Sequence, residues 1–152
     1  VKNIESLVLG GHGDTMVPMP NHTFVNKKPI SQMIEKEKLE TIVDRTRKGG
    51  AEIVKYLEKG SAFYAPAASG IEMAESYIRN LKKTLPCAAY LNGEYGVKNV
   101  YAGVPVTIGS KGVEKIIELN LNKNEKIKFD LSVKAVKELF EAAIKIDNDL
   151  AK

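Results

Sequence analysis

The segment Gly10-Gly11-His12-Gly13-Asp14-Thr15-Met16-Val17-Pro18 holds one of the chain's two histidines in a glycine-flanked turn directly after the apolar run Leu7-Val8-Leu9. Imidazole gains and loses a proton near neutral pH and presents either ring nitrogen to a ligand. At the mouth of a turn it can take a proton from a hydroxyl and return it, which is general acid–base chemistry. Spacing alone leaves a second reading open, that of a surface or structurally satisfied histidine. A metal site built from His12, Asp14 and His22 has acceptable ligand types but no evident fourth ligand. His22 lies in a proline-flanked polar stretch and is expected to be an exposed loop residue. An acyl-transfer site finds no support, because no serine or cysteine motif accompanies the histidine.

The elements that must position His12 follow from periodicity and punctuation. Ser6 to Leu9 is expected to be a strand and Met16 to Met19 a second extended piece, with Pro18 and Pro20 excluding helix. Thr23 to Asn26 is a short strand before a turn at Lys27-Lys28-Pro29. Leu39, Ile42, Val43, Thr46, Gly50, Ile53, Val54 and Leu57 recur at three- and four-residue steps, the pattern of one helix face, and Gly60 ends that helix. Gly49 and Gly50 inside it cost roughly 1 kcal/mol each relative to alanine, so a close neighbour is expected against them. A second helix spans about Ala65 to Leu81, with Pro66 in its first turn and Ile71, Ala74, Ile78 and Leu81 on one face. Its small residues at 65 and 67–70 suit a tight helix–helix contact.

Three strand-like runs come next: Leu85 to Leu91, Asn99 to Ile108 and Val113 to Leu119. Asn92-Gly93 signals a turn, lengthened by residues 94–98, and Gly109-Ser110-Lys111-Gly112 is a hairpin turn. Asn122 with Glu125 forms a capping box that opens a last helix, running to about Asp147 with Phe129, Val133, Val136, Phe140 and Ala143 on its buried face. The fold class is therefore α+β, an antiparallel meander packed with long helices.

Composition bounds the function. The 152 residues suit one domain, and 43% hydrophobic content supports a core. The net charge of +4 is spread among acidic residues, without the clustered basic and aromatic pattern of a nucleic-acid surface. No apolar run reaches membrane-spanning length, and no signal peptide is visible at the start. A single cysteine, Cys87, excludes an internal disulfide; a buried inert thiol in a reducing, cytoplasmic setting is expected.

The histidine segment resembles the active-site signature of the lactate/malate dehydrogenase family. Residues 44–54 (DRTRKGGAEIV) are similar to the family's long helix after that loop, and 59–69 (KGSAFYAPAAS) to the start of its next helix. Residues 86–96 (PCAAYLNGEYG) resemble the central hairpin of its malate-type, bacterial branch. The blocks run in family order over almost the whole chain. The resemblance implies an NAD-dependent oxidoreductase interconverting malate and oxaloacetate in the tricarboxylic acid cycle, with lactate the alternative substrate. It implies that His12 shuttles the proton, that Gly11 belongs to the substrate pocket and with Gly13 shapes the loop, and that Pro66 packs against the nicotinamide. Ala62 matches a pocket-wall position bearing a hydroxyl in lactate-specific members, which leans towards malate. A homo-oligomer, dimer or tetramer, is also implied; a non-catalytic assembly module, inactive alone, is the reading from a different class.

The resemblance implies that the histidine's aspartate partner and the carboxylate-binding arginines come from sequence upstream of Val1. Asp14 is expected to cap or hydrogen-bond the loop backbone instead. Arg45, Arg47 and Arg79 are expected on helix surfaces or at subunit contacts. No G-x-G-x-x-G pattern occurs, so residues 1–152 are expected to be the substrate-side half, without the dinucleotide-binding half.

Overall fold

A computed structural model describes residues 3–151. Its centre is a ten-residue strand against a twelve-residue one: β6 (Lys83–Asn92) pairs antiparallel with β7 (Lys98–Gly109). Six further strands precede or join this hairpin. β1 (Ile4–Glu5), β4 (Phe24–Val25) and β5 (Lys28–Pro29) form a small antiparallel sheet. β2 (Val8–Gly10) and β3 (Met16–Pro18) join the main sheet, whose order is β3-β2-β7-β6, with β8 (Gly112–Ile116) also on β7. The helices are α1 (Lys36–Leu57), α2 (Tyr64–Ile78) and α3 (Lys123–Ile146). The α+β class with an antiparallel meander is the observed architecture.

β7 is the strand on which everything else is registered. Val100, Ala102, Val104, Val106 and Ile108 are buried at alternate positions, and Ala89 and Leu91 of β6 meet them. Pro105 lies in this central strand directly opposite Pro86. Proline cannot donate to a ladder. Two prolines facing each other fit a non-hydrogen-bonded pair, and the Pro105 carbonyl instead points to the other edge, accepting from Ile117 N–H at 2.9 Å. β2 and β8 share that other edge: Gly10 pairs with Gly103 at one end, and residues 112–116 pair at the other.

α3 closes the core. Its capping box forms: the Asn122 side chain accepts from the Asn124 and Glu125 amides, and Glu125 accepts from Asn122 N–H. Phe129 is fully buried and stacks on Tyr95 with ring centroids 5.1 Å apart. The expected face is only partly used. Phe129 and Val133 are buried and Val136 and Ala143 half-buried, but Phe140 is half exposed because the helix runs past the sheet. Tyr95 adopts φ 55° in the turn after β6, a conformation its contacts impose. Its hydroxyl donates to Ile117 O at 2.7 Å and accepts from Leu119 N–H at 3.0 Å. Burial pushes the Tyr95 phenol up from its ordinary value.

Helix ends and helix partners differ from expectation. α1 stops at Leu57, with Glu58 at φ 60°, before Gly60. α2 stops at Ile78, because Arg79 and Asn80 already leave helical geometry. The apolar face of α1 is not buried in this chain: Ile42, Ile53, Val54 and Leu57 are exposed. A Cβ on Gly49 or Gly50 would meet nothing within 4 Å, so the expected close neighbour is not supplied by this chain. Ile71 and Ile78 of α2 are likewise open, as is the space at Gly70. α2 is tied to the sheet by one fully buried serine: Ser76 Oγ donates to Ile108 O at 2.7 Å and accepts from Lys83 N–H at 3.2 Å.

Candidate active site

His12 stands at the N-cap of a 3-10 turn, Gly13–Thr15, that joins β2 to β3. Its own backbone is extended, at φ −98° and ψ 154°, between Gly10 at φ +85° and Gly13 at φ +73°. Two left-handed residues bracket the histidine and turn its side chain outward, a geometry that favours glycine. The His12 ring is exposed at the surface rather than sealed in the core.

The loop carrying it is fixed from three sides. From β7, Gly103 lies so close that a Cβ there would sit 2.8 Å from Gly10 O. From α3, Ser132 Oγ accepts from Gly11 N–H at 2.8 Å and donates to Thr15 O at 2.5 Å. From α1, Arg47 Nε donates to Met16 O at 3.1 Å. Within the loop, Thr15 Oγ1 donates to His12 O at 3.3 Å and Met16 N–H to Gly13 O.

Several expected roles are corrected by these contacts. Asp14 makes none of the loop's hydrogen bonds among the described residues; Thr15 makes the internal one. Asp14 is exposed and contributes a minor part of the negative field that raises the Lys48 ammonium, after the hydrogen bond and charge of Asp44. Arg47, expected on a helix surface or at a subunit contact, is half-buried and folds back onto the loop backbone. Arg45 and Arg79 do lie on helix surfaces, paired with Glu52 and Glu75. His22 is not an exposed loop residue: it is half-buried in the 3-10 turn Pro20–His22, with Nε2 3.7 Å from Glu125 Oε2. Asn21 Nδ2 donates to the other oxygen of Glu125 at 2.9 Å. Among the described residues no cluster of three His, Cys, Asp or Glu side chains could hold a metal.

Gly11 and His12 therefore share one braced loop. Ala62 is half-buried in the segment before α2, and Pro66 is exposed in the first turn of that helix. None of the hydrogen bonds that hold the loop reaches either of them. Pro66 fits its place because first-turn amides have no partner within a helix. A groove of about 630 Å³ runs behind the loop between α1 and the start of α3, lined by Val17, Leu39, Arg47, Glu125 and Lys128, and His12 is not part of its wall.

The family described as lactate/malate dehydrogenase, alpha/beta C-terminal domain, matches residues 1–146. The chain belongs to this family. A malate dehydrogenase of Pelagibacter ubique (strain HTCC1062) is 62% identical over 157 aligned positions, covering all of this chain and 49% of that protein. The solved malate dehydrogenase of Salinibacter ruber superposes with a TM-score of 0.93 at 40% identity, over 97% of this chain and 48% of that one. A lactate dehydrogenase from Eimeria maxima, solved with NADH and oxamate, gives 0.92 at 41% identity, over 96% and 47%. The chain thus spans about half the length of these dehydrogenases. The family membership agrees with the resemblance carried by the histidine segment and the three blocks after it.

Ser132, Gly103 and Arg47 were not singled out by sequence reasoning for the loop. Two of them left a signal. Ser132 falls on the apolar stripe Phe129, Val133, Val136, where a polar residue needs a partner. Gly103 interrupts a strand, which marks close backbone approach. Arg47 left no signal beyond being a long side chain on the helix that follows the loop.

Proposed function

We propose that this chain is the C-terminal, substrate-side half of an NAD-dependent malate dehydrogenase and that His12 is its proton acceptor and donor. The observation that carries this reading is an exposed imidazole on a loop braced from three different elements. In malate oxidation the neutral ring accepts the hydroxyl proton; in oxaloacetate reduction the protonated ring donates it and steadies negative charge on the ketone oxygen. NAD, when bound, supplies the acceptor for the hydride. The residues present fit only one end of that cofactor. Exposed Pro66 offers an apolar face suited to a flat ring, while the sequence lacks the glycine-rich turn that would cradle the pyrophosphate. The carboxylate-binding arginines and the histidine's aspartate partner are assigned to upstream sequence, as is the cofactor half.

Ala62 cannot donate a hydrogen bond from the pocket wall, which favours malate over lactate. The uncovered apolar faces of α1 and α2 support contact with the cofactor half and with further copies of the protein, as a homo-oligomer. Half-buried Cys87, whose thiol is pushed up chiefly by burial, supports a reducing, cytoplasmic setting. Among the described residues no helix is long and apolar enough to cross a membrane.

The test uses the full-length protein. Replacing His12 by asparagine should lower turnover by roughly 100-fold or more while NAD binding is kept. Unchanged turnover in that variant rejects the assignment. The 152-residue chain alone should show no malate oxidation; tight NAD binding with turnover would remove the need for a separate cofactor half.

A further inference from the structure

From the loop geometry we infer that Ser132 is a positioning residue for His12: one buried hydroxyl, 120 residues away in sequence, holds the histidine loop in register with α3. The inference rests on the reading of His12 as the proton shuttle.

Ser132 is 4% exposed, on the face of α3 turned to β2 and β3. A hydroxyl both accepts and donates, and here it does both. It accepts from the amide of Gly11, immediately before His12, and donates to the carbonyl of Thr15, the last residue of the turn after it. The two ends of the segment that displays the imidazole are joined through a single oxygen atom. Thr15 passes the constraint on, because its own hydroxyl reaches His12 O.

The glycines before His12 are shaped for this oxygen. A Cβ on Gly10 would lie 2.2 Å from Ser132 Oγ and 2.8 Å from Ser132 Cβ. A Cβ on Gly11 would lie 2.6 Å from Thr15 Oγ1 and 3.0 Å from Val136 Cγ2. The room that side chains would take at both positions is filled by the hydroxyls that fix the loop. Docking of α3 itself does not need the Ser132 hydroxyl, since Phe129 and Val133 are already in the core on either side of it. What the hydroxyl adds is the angle at which the loop leaves the sheet.

Proton transfer is sensitive to that angle, and a misplacement near 1 Å can lower a rate about 100-fold. The experiment compares Ser132→Ala, Ser132→Thr and His12→Asn in the full-length protein. It reads kcat and KM for malate, thermal stability, and hydrogen exchange of the segment Gly10–Met16. Ser132→Ala should lower kcat about 10- to 100-fold with KM within about twofold. The loop amides should exchange at least about tenfold faster, as expected of a lost local restraint. Ser132→Thr, which keeps the hydroxyl, should recover most of both. If Ser132→Ala does not fold, Ser132→Cys, of similar volume and weaker hydrogen bonding, is read by the same criteria.

Wild-type loop exchange in Ser132→Ala, or wild-type kcat, overturns the inference. So does a loss of kcat that Ser132→Thr does not recover. If His12→Asn leaves turnover intact, the proton-shuttle reading fails instead, and the exchange data alone then decide whether Ser132 braces the loop.

Discussion

Gly103→Ala is a small change on β7, more than ninety residues from His12 in sequence, and it should damage activity more than stability. Gly103 is not in the left-handed region, so alanine there brings no backbone strain. It brings a clash: the new Cβ would lie 2.8 Å from Gly10 O, a backbone atom that cannot rotate away. Restoring ordinary contact at 3.4 Å moves that carbonyl by about 0.6 Å. Gly10–Gly103 is the pair through which β2 joins β7, so the displacement falls on the residue that launches the histidine loop. Overpacking of this size costs about 1–3 kcal/mol of stability. Shifting the root of the loop by about half an ångström should lower kcat about tenfold or more. The assay is malate oxidation by the full-length protein, followed as NADH absorbance, beside urea unfolding of the same preparation. A Gly103→Ala protein with wild-type kcat would refute the link from β7 to His12; one that lost stability alone would show that the loop does not depend on this approach.

Three further perturbations probe the scaffold. Tyr95→Phe removes one hydroxyl that both donates to Ile117 O and accepts from Leu119 N–H, and should cost about 1–3 kcal/mol in chemical denaturation; an unchanged midpoint would mean that water replaces it without loss. Ser76→Ala leaves Ile108 O and Lys83 N–H without their shared partner and should cost a similar amount, about 1–3 kcal/mol, with loosening of α2 visible as faster exchange over residues 64–78. Cys87 has its thiol pushed up by burial first and by the charge of Glu72 second, so its thiolate forms only at higher pH than that of a free thiol. Alkylation by iodoacetamide should therefore be slower than that of glutathione at pH 8 and gain on it as pH rises; equal rates at pH 8 would contradict the burial.

The elements most legible in the sequence were those with local signals. The capping box at Asn122 and Glu125, the hairpin turn at 109–112 and the helices under three- and four-residue periodicity all depend on neighbours within a few positions. The histidine was legible for the same reason, since glycines on both sides of it announce an unusual backbone. What was not legible came from distant contacts. Nothing near Ser132 says that its hydroxyl faces Gly11 and Thr15, and nothing near Arg47 says that it returns to Met16. The apolar stripe on α1 is legible as one helix face, but what covers it is not. Amphipathic periodicity says that a face wants cover and is silent on which chain supplies it. Asp14 shows the same limit on a smaller scale: a short acidic side chain in a turn suggests a cap, and here the neighbouring threonine makes the bond.

Under the proposed function one imidazole carries the proton in both directions, and the pH dependence of both directions in the full-length protein is the decisive measurement. Malate oxidation needs a proton acceptor and oxaloacetate reduction a proton donor, so the kcat/KM profiles of the two directions should run opposite to each other with pH. In His12→Asn both dependences should vanish together with most of the activity. Mirror-image profiles in the full-length protein that disappear in the variant are the predicted result, and profiles that persist when His12 is gone would place the proton on another group.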